Sequence, residues 1–318
     1  MCVAFWSLEH PAYALILCSN RDEYLSRPTA NAHFHTFEPI GRAEDLDGKV
    51  LSGRDLLAGG TWAGLNRSGR VAILTNITEP PRKYASSRGE LASSFLLPKT
   101  PTAPLRDEVD KLVAENGRFA GFNLLLLAPR LEHPEGWRKL HFDSAFVTNT
   151  GGGGRITARG LTDAEMRCGG LSNGIDCAGA SDWPKVKKGT QALQDVLETA
   201  AEGISDAELS ERLFQLLTDF TESWTSDPAP ADRAALRNTI QVDPILVQVT
   251  QSPDHKQYYG TRLSTVLLVR RDGSVCFVER DVWMLDTNGD VVKADAKSQR
   301  IFQFQIDLNS ISSAERTH

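Results

Sequence analysis

The chain opens Met-Cys-Val-Ala-Phe-Trp, which puts a cysteine one cleavage away from the N-terminus. Removal of Met1 leaves Cys2 with a thiol and a free amine on the same carbon. Such an amine titrates at roughly 7.7–8.0, so it can serve as a base near neutral pH. A second constellation, Asn20-Arg21-Asp22-Glu23, follows the apolar run Tyr-Ala-Leu-Ile-Leu-Cys. Four adjacent polar residues at a strand end read either as a turn or as a site. Pairing the first two apolar segments as an antiparallel hairpin shifts the balance toward a site, because it brings Arg21 and Asp22 beside Cys2. There a carboxylate could hold the amine in position and a cation could favour the thiolate.

Asn76 in Leu-Thr-Asn and Asn173 in Leu-Ser-Asn-Gly each close an apolar segment. Their amides can donate to a developing oxyanion, although asparagine in a turn is commonly structural. Arg262 enters the apolar strand Tyr-Gly-Thr-Arg-Leu-Ser-Thr-Val-Leu-Leu-Val. A buried arginine needs a partner, so a site and a structural ion pair both remain open. Residues 170–174, Gly-Leu-Ser-Asn-Gly, fit the G-x-S-x-G pattern of serine hydrolases. That motif requires a strand before the serine and a helix directly after it, and neither is expected here, so Ser172 is set aside.

Two further motifs read as inert. The four glycines at 151–154 precede no Lys-Ser/Thr pair and make no G-x-G-x-x-G, which leaves a flexible turn. His33 and His35 share a face if their segment is a strand, but two ligands make a poor metal or haem site. His255 lies in a polar loop. Neither a metal nor a cofactor is expected.

The elements that must position these residues come in blocks. Two short strands lead, and a hairpin follows in Gly-Gly-Thr-Trp-Ala-Gly-Leu-Asn-Arg-Ser-Gly-Arg-Val-Ala-Ile-Leu-Thr-Asn. Helical spacing appears at 88–97 and again from Leu105 to Glu115. Residues 120–128, Ala-Gly-Phe-Asn-Leu-Leu-Leu-Leu-Ala, form a continuous apolar run of buried-strand length, and a further strand ends at the glycine-rich turn. Two helices fill Lys185 to Leu217, with Ser205 as the N-cap of the second. A proline-rich loop begins at Trp224, and strands close the chain, two of them pairing across Asp272-Gly273. This order is not the alternation of a doubly wound sheet, and it suits an α+β fold with antiparallel sheets inside and helices outside. No repeat or linker breaks it, so residues 1–318 read as one domain.

Composition excludes several classes. A net charge of −6 with no long basic run argues against a nucleic-acid partner. Five cysteines, odd in number and without CxxC spacing, suggest neither a zinc site nor a disulfide framework, and a reducing, cytoplasmic setting fits them. No segment is apolar over enough length to span a bilayer, and the first thirty residues resemble no targeting peptide. Oligomeric state is not readable.

Taken together, Met-Cys-Val-Ala-Phe-Trp, Asn-Arg-Asp-Glu-Tyr-Leu-Ser-Arg-Pro-Thr, the 59–76 hairpin, Gly-Phe-Asn-Leu-Leu-Leu-Leu, Leu-Ser-Asn-Gly…Trp-Pro-Lys-Val and the Arg262 strand resemble the Transport and Golgi organization protein 2 family. That family is also called NRDE after the tetrapeptide at 20–23. The matches run in order from residue 1 to about 270. The family is in turn similar to N-terminal-nucleophile hydrolases of the choloylglycine hydrolase and penicillin V acylase group. This resemblance implies a four-layer αββα sandwich with Cys2 as nucleophile and Asp22 as anchor of its amine. It further implies Asn173 as oxyanion donor, Arg262 as a late active-site arginine, and Asn20, Arg21, Asn76 and Trp62 lining the substrate site. Two departures stand out. The hydrolases carry arginine three residues before the aspartate, where this chain has Ser19, and the segment after Ser172-Asn173 is longer than is usual in the family.

The resemblance implies an amidase or thioesterase acting on a small acylated, partly apolar substrate. It equally implies a non-catalytic alternative, a carrier of haem, lipid or acyl-CoA connected with Golgi organisation, with Golgi or mitochondrial association in place of a cytoplasmic one. A third reading is a scaffold in which Cys2 is packed in the core.

Overall fold

The computed structural model describes residues 1–38, 48–80, 82–99, 103–132, 138–201, 203–218, 233–248, 256–295 and 297–311. The proline-rich stretch from Trp224 lies outside them as far as residue 232, as does His255. Along the chain the first strands are β1 (Val3–Ser7), β2 (Tyr13–Tyr24), β3 (Thr29–His35), β4 (Val50–Asp55), β5 (Ala63–Asn66) and β6 (Val71–Asn76). Helices α1 (Arg88–Leu96) and α2 (Leu105–Glu115) follow, then β7 (Phe122–Glu132), β8 (Lys139–Thr148) and β9 (Thr157–Arg159). Next come α3 (Asp163–Cys168), β10 (Gly169–Leu171), α4 (Pro184–Thr199) and α5 (Asp206–Leu217). The chain ends with β11 (Ile245–Gln248), β12 (Lys256–Arg270), β13 (Ser274–Asp281), β14 (Trp283–Leu285), β15 (Val291–Lys293) and β16 (Gln299–Gln305).

Two antiparallel sheets result. One runs β10-β1-β2-β12-β13-β16 with β11 on β12, and the other runs β3 to β9 in chain order. Period-two alternation sorts their side chains into layers. On β2, Leu15 and Leu17 enter the core between the sheets, while Ile16 and Cys18 pack under α4 and α5. On β7, Leu125 and Leu127 share the inter-sheet core, while Leu124 and Leu126 pack under α1 and α2. Each fully buried leucine contributes roughly 1.5–3 kcal/mol, so the three apolar layers hold the sandwich together. The architecture is four-layer αββα, as the resemblance implies.

Two sequence expectations change, and a third holds. Asn20 to Glu23 do not follow the second strand; they are part of it, because the fifteen-residue β12 pairs along β2 from Tyr24 to Tyr13. The buried amide of Asn20 tolerates this position because its Nδ2 donates to the carbonyls of Leu217 and Ile240 and its Oδ1 accepts from Ser264. A three-residue strand, β10, does precede Ser172, but turns follow it where the serine-hydrolase motif needs a helix. The glycine run is a turn, and Glu79 fills it, accepting from the Gly121 and Gly152 amides at 2.6 Å each.

Helix α4 bears on the site through two local features. Pro184 starts it, where a missing N–H costs nothing. Gly189 then lets it lie flat on β1, since a β-carbon there would stand 1.9 Å from the Phe5 ring. Ser205 caps α5 by accepting from the Glu208 amide at 3.1 Å, as its sequence suggests.

Candidate active site

The hairpin register sets the site. Val3 pairs with Asn20, so Cys2 comes to lie at the level of Arg21 and Asp22. The Cys2 thiol donates to the Asp22 carbonyl at 3.6 Å, and Ser172 Oγ donates to the Cys2 carbonyl at 2.8 Å. Cys2 is half-buried and borders a cleft of about 130 Å³ together with Arg21, Glu23, Trp62, Asn76 and Arg88.

Behind the thiol, the N-terminal residue is held at every polar atom. The Met1 ammonium donates to Asp22 Oδ2 at 2.7 Å and to Tyr259 Oη at 2.6 Å. Lys185 Nζ donates to the Met1 carbonyl at 2.5 Å, and Thr261 Oγ1 donates to the second Asp22 oxygen at 2.6 Å. The methionine side chain packs on Leu236 and Val242, and Thr78 Oγ1 donates to its sulfur at 3.1 Å. In the chain that begins at Met1, Asp22 therefore grips the Met1 amine rather than that of Cys2.

Burial dominates the electrostatics. It pulls the Met1 ammonium below its usual pKa against the opposing pull of Asp22. It raises the Cys2 thiol, and Asp22 raises it further, with the N-terminal ammonium and Arg21 offsetting only part. Arg21 does act in favour of the thiolate, but desolvation outweighs it while Met1 is present, so the net shift is upward. Lys185 is wholly buried, and that burial brings it down to about 8.

The other sequence-derived residues separate into groups. Arg21 and Trp62 both line the cleft, with the guanidinium stacked 3.8 Å from the centroid of the Trp62 ring. Asn76 lines it too, and among the described residues its side-chain amide has no hydrogen-bond partner. Asn173 stands one step back, its Nδ2 donating to the Asn76 carbonyl at 2.5 Å. Arg262 sits at a register shift in β12 and binds the Arg27 carbonyl at 2.5 Å and Thr29 Oγ1 at 3.1 Å. It makes no ion pair among the described residues, and burial, then Arg21, holds it down to about 10. Asn20 points to the α5 side, with both ends of its amide engaged. No residue of the segment 174–183, longer than is usual in the family, lines the cleft.

Sequence reasoning missed Lys185, Tyr259, Thr261 and Arg88. Lys185 carried a signal, since a cation in the first turn of a helix opposes the macrodipole and calls for another explanation. Tyr259 and Thr261 sit two apart on β12, on the face that meets Asp22. Nothing local distinguishes Arg88 from any helix-starting arginine. Among the described residues no three His, Cys, Asp or Glu side chains cluster as metal ligands, and no helix is long and apolar enough to cross a membrane.

The sequence matches a family model described as Transport and Golgi organisation 2 over residues 1–284. The Transport and Golgi organization protein 2 homolog of Bos taurus is 31% identical over 291 residues, spanning 89% of this chain and 93% of its own. Among solved structures, the N-acylethanolamine-hydrolyzing acid amidase ortholog of Caenorhabditis elegans is similar with a TM-score of 0.45 and 11% identity, covering 84% of this chain and 92% of that one. A variant of conjugated bile acid hydrolase from Clostridium perfringens is similar with a TM-score of 0.47 and 9% identity, covering 100% of both chains. The chain belongs to the Transport and Golgi organisation 2 family.

Proposed function

We propose that the protein is an N-terminal-cysteine hydrolase that cleaves an amide or thioester bond of a small acylated compound after loss of Met1. One observation carries this reading: a buried aspartate grips an N-terminal ammonium one residue from a thiol that borders a cleft. Loss of Met1 hands Asp22, Tyr259 and the neighbourhood of Lys185 to the amine of Cys2. A second cation beside that amine lowers its pKa and leaves a neutral base at ordinary pH.

The amine takes the thiol proton, and the thiolate forms a bond to the substrate carbonyl carbon. The carbonyl oxygen becomes an oxyanion, to which the free amide of Asn76 donates. Asn173 positions Asn76 through its carbonyl. Collapse expels the amine or thiol leaving group, which takes the proton held by the Cys2 amine. Water, deprotonated by the same amine, then hydrolyses the thioester on Cys2 and releases the acid.

The carrier alternative is not adopted. Haem needs an axial ligand, and neither histidine proposed for that role lines the cleft. Of the two histidines considered as axial ligands, His35 is buried with Nε2 on Ser52 at 2.9 Å and His33 bonds the Asn31 carbonyl at 2.7 Å. The test is a panel of short acyl amides and acyl thioesters offered to wild type and to Cys2→Ser. Turnover by wild type that is lost in Cys2→Ser supports the reading, and no turnover of any member counts against it.

A further inference from the structure

The charges around the Cys2 cleft do not balance locally. Asp55 holds Arg27 at 2.7 Å and Asp22 holds the N-terminal ammonium, while Glu23 lies 3.8 Å from Arg27 and also acts on Arg21 across the cleft. Two guanidiniums remain without an ion pair among the described residues. Arg21 is only 5% exposed, yet its side chain makes one hydrogen bond, from Nη1 to Thr29 Oγ1 at 3.1 Å, and no ion pair among the described residues. Stacking on Trp62 fixes its plane without neutralising it. Arg88, the first residue of α1, donates to the Gly121 carbonyl at 2.9 Å and likewise lacks an ion pair among the described residues. Its electrostatic partner Glu79 has both oxygens taken by the Gly121 and Gly152 amides.

Buried cations are ordinarily paired, because an uncompensated one costs several kcal/mol. Here a third guanidinium, Arg262, shares Thr29 with Arg21 and adds to the local excess. The start of α1 contributes too, since Ser87 and Gly89 border the cleft where the helix dipole is positive. Arg21 and Arg88 both act electrostatically on Cys2, so the excess positive charge bears on the reacting sulfur.

We propose that Arg21 and Arg88 form an anion subsite, and that the compound whose carbonyl reaches Cys2 carries a carboxylate bound there. The proposal rests on the hydrolase reading for the position of that carbonyl. The anion is assigned as a carboxylate because a planar guanidinium fork pairs with one through two parallel hydrogen bonds.

Iodoacetate and iodoacetamide are close in size and differ in charge, so their rates of alkylation at Cys2 read the subsite without a known substrate. Peptide mapping of the full chain gives the iodoacetate-to-iodoacetamide ratio at Cys2, with glutathione as the free-thiol reference. The ratio at Cys2 is expected to exceed that of glutathione roughly ten- to hundredfold, the range of electrostatic concentration in a charged cleft. Arg21→Gln and Arg88→Gln are each expected to bring it back toward the reference, and the half-buried Arg88 serves if Arg21→Gln fails to fold. A wild-type ratio equal to that of glutathione, a ratio unchanged in the variants, or a Cys2 that neither reagent reaches would each overturn the subsite. Alkylation needs no turnover, so hydrolysis without charge preference sinks this inference alone, and charge preference without hydrolysis sinks only the hydrolase.

Discussion

The α-amine of Met1 lies 2.7 Å from Oδ2 of Asp22, and neither residue is more than 5% exposed. An ion pair of this kind couples the first residue of the chain to the middle of the sandwich, because Asp22 sits on β2 between β1 and β12. Asp22→Ala leaves a buried ammonium unpaired and Thr261 without its acceptor. The expected loss of folding stability is about 3–5 kcal/mol, measured by urea unfolding. A loss below about 1 kcal/mol would place the amine in water instead.

Lys185 gives a pH signature. Burial holds its ammonium at about 8, against 10.5 for the free side chain. Below that window both folded and unfolded chains are protonated, and folding bears the full cost of burying the charge. Within it the unfolded chain keeps a proton that the folded chain has lost, so stability from this residue rises with pH. Unfolding curves are expected to show wild type gaining on Lys185→Met by up to about 3 kcal/mol as pH climbs from about 8 to about 10.5. Parallel pH profiles of the two proteins would contradict a buried, proton-releasing lysine.

Ser172 tests the rival nucleophile. Its hydroxyl ties the Cys2 carbonyl at 2.8 Å, while its own carbonyl accepts from Thr75 at 2.7 Å and Asn123 at 3.2 Å. That is a positioning role. Ser172→Ala is expected to lose about 1 kcal/mol of stability and to keep most of the turnover that Cys2→Ser abolishes. Abolition by Ser172→Ala with the fold intact would revive the serine motif.

Glu79 explains the glycine run. Both of its oxygens bind backbone amides at 2.6 Å, and a charge-assisted bond of this kind contributes about 1.5–3 kcal/mol. Glu79→Gln is expected to cost about 2 kcal/mol in thermal or urea unfolding. An unchanged midpoint would mean that the turn closes without it.

The buried strands were legible in the sequence as apolar runs, but their two faces were not, because every residue in such a run is apolar. Only the structure assigns Leu15, Leu17, Leu125 and Leu127 to the core between the sheets and Ile16 and Leu124 to the layers under the helices. The site was legible only as far as the hairpin carried it, which placed Arg21 and Asp22 beside Cys2. That Asn20 to Glu23 continue the strand depends on β12, which begins more than 230 residues later in the chain. Lys185 reaches the N-terminus by the packing of α4 on the sheet, and Tyr259 and Thr261 by the pairing of β12 with β2, and no local pattern encodes such meetings. The direction of the Cys2 shift is likewise a matter of burial, which residue types in a row do not specify.

The hydrolase account turns on which amine neighbours the thiol, so the most direct measurement is the intact mass of the fraction that turns over an acyl substrate. The account predicts that this fraction starts at Cys2 and lacks methionine. Full turnover by chains that still carry Met1 would contradict it.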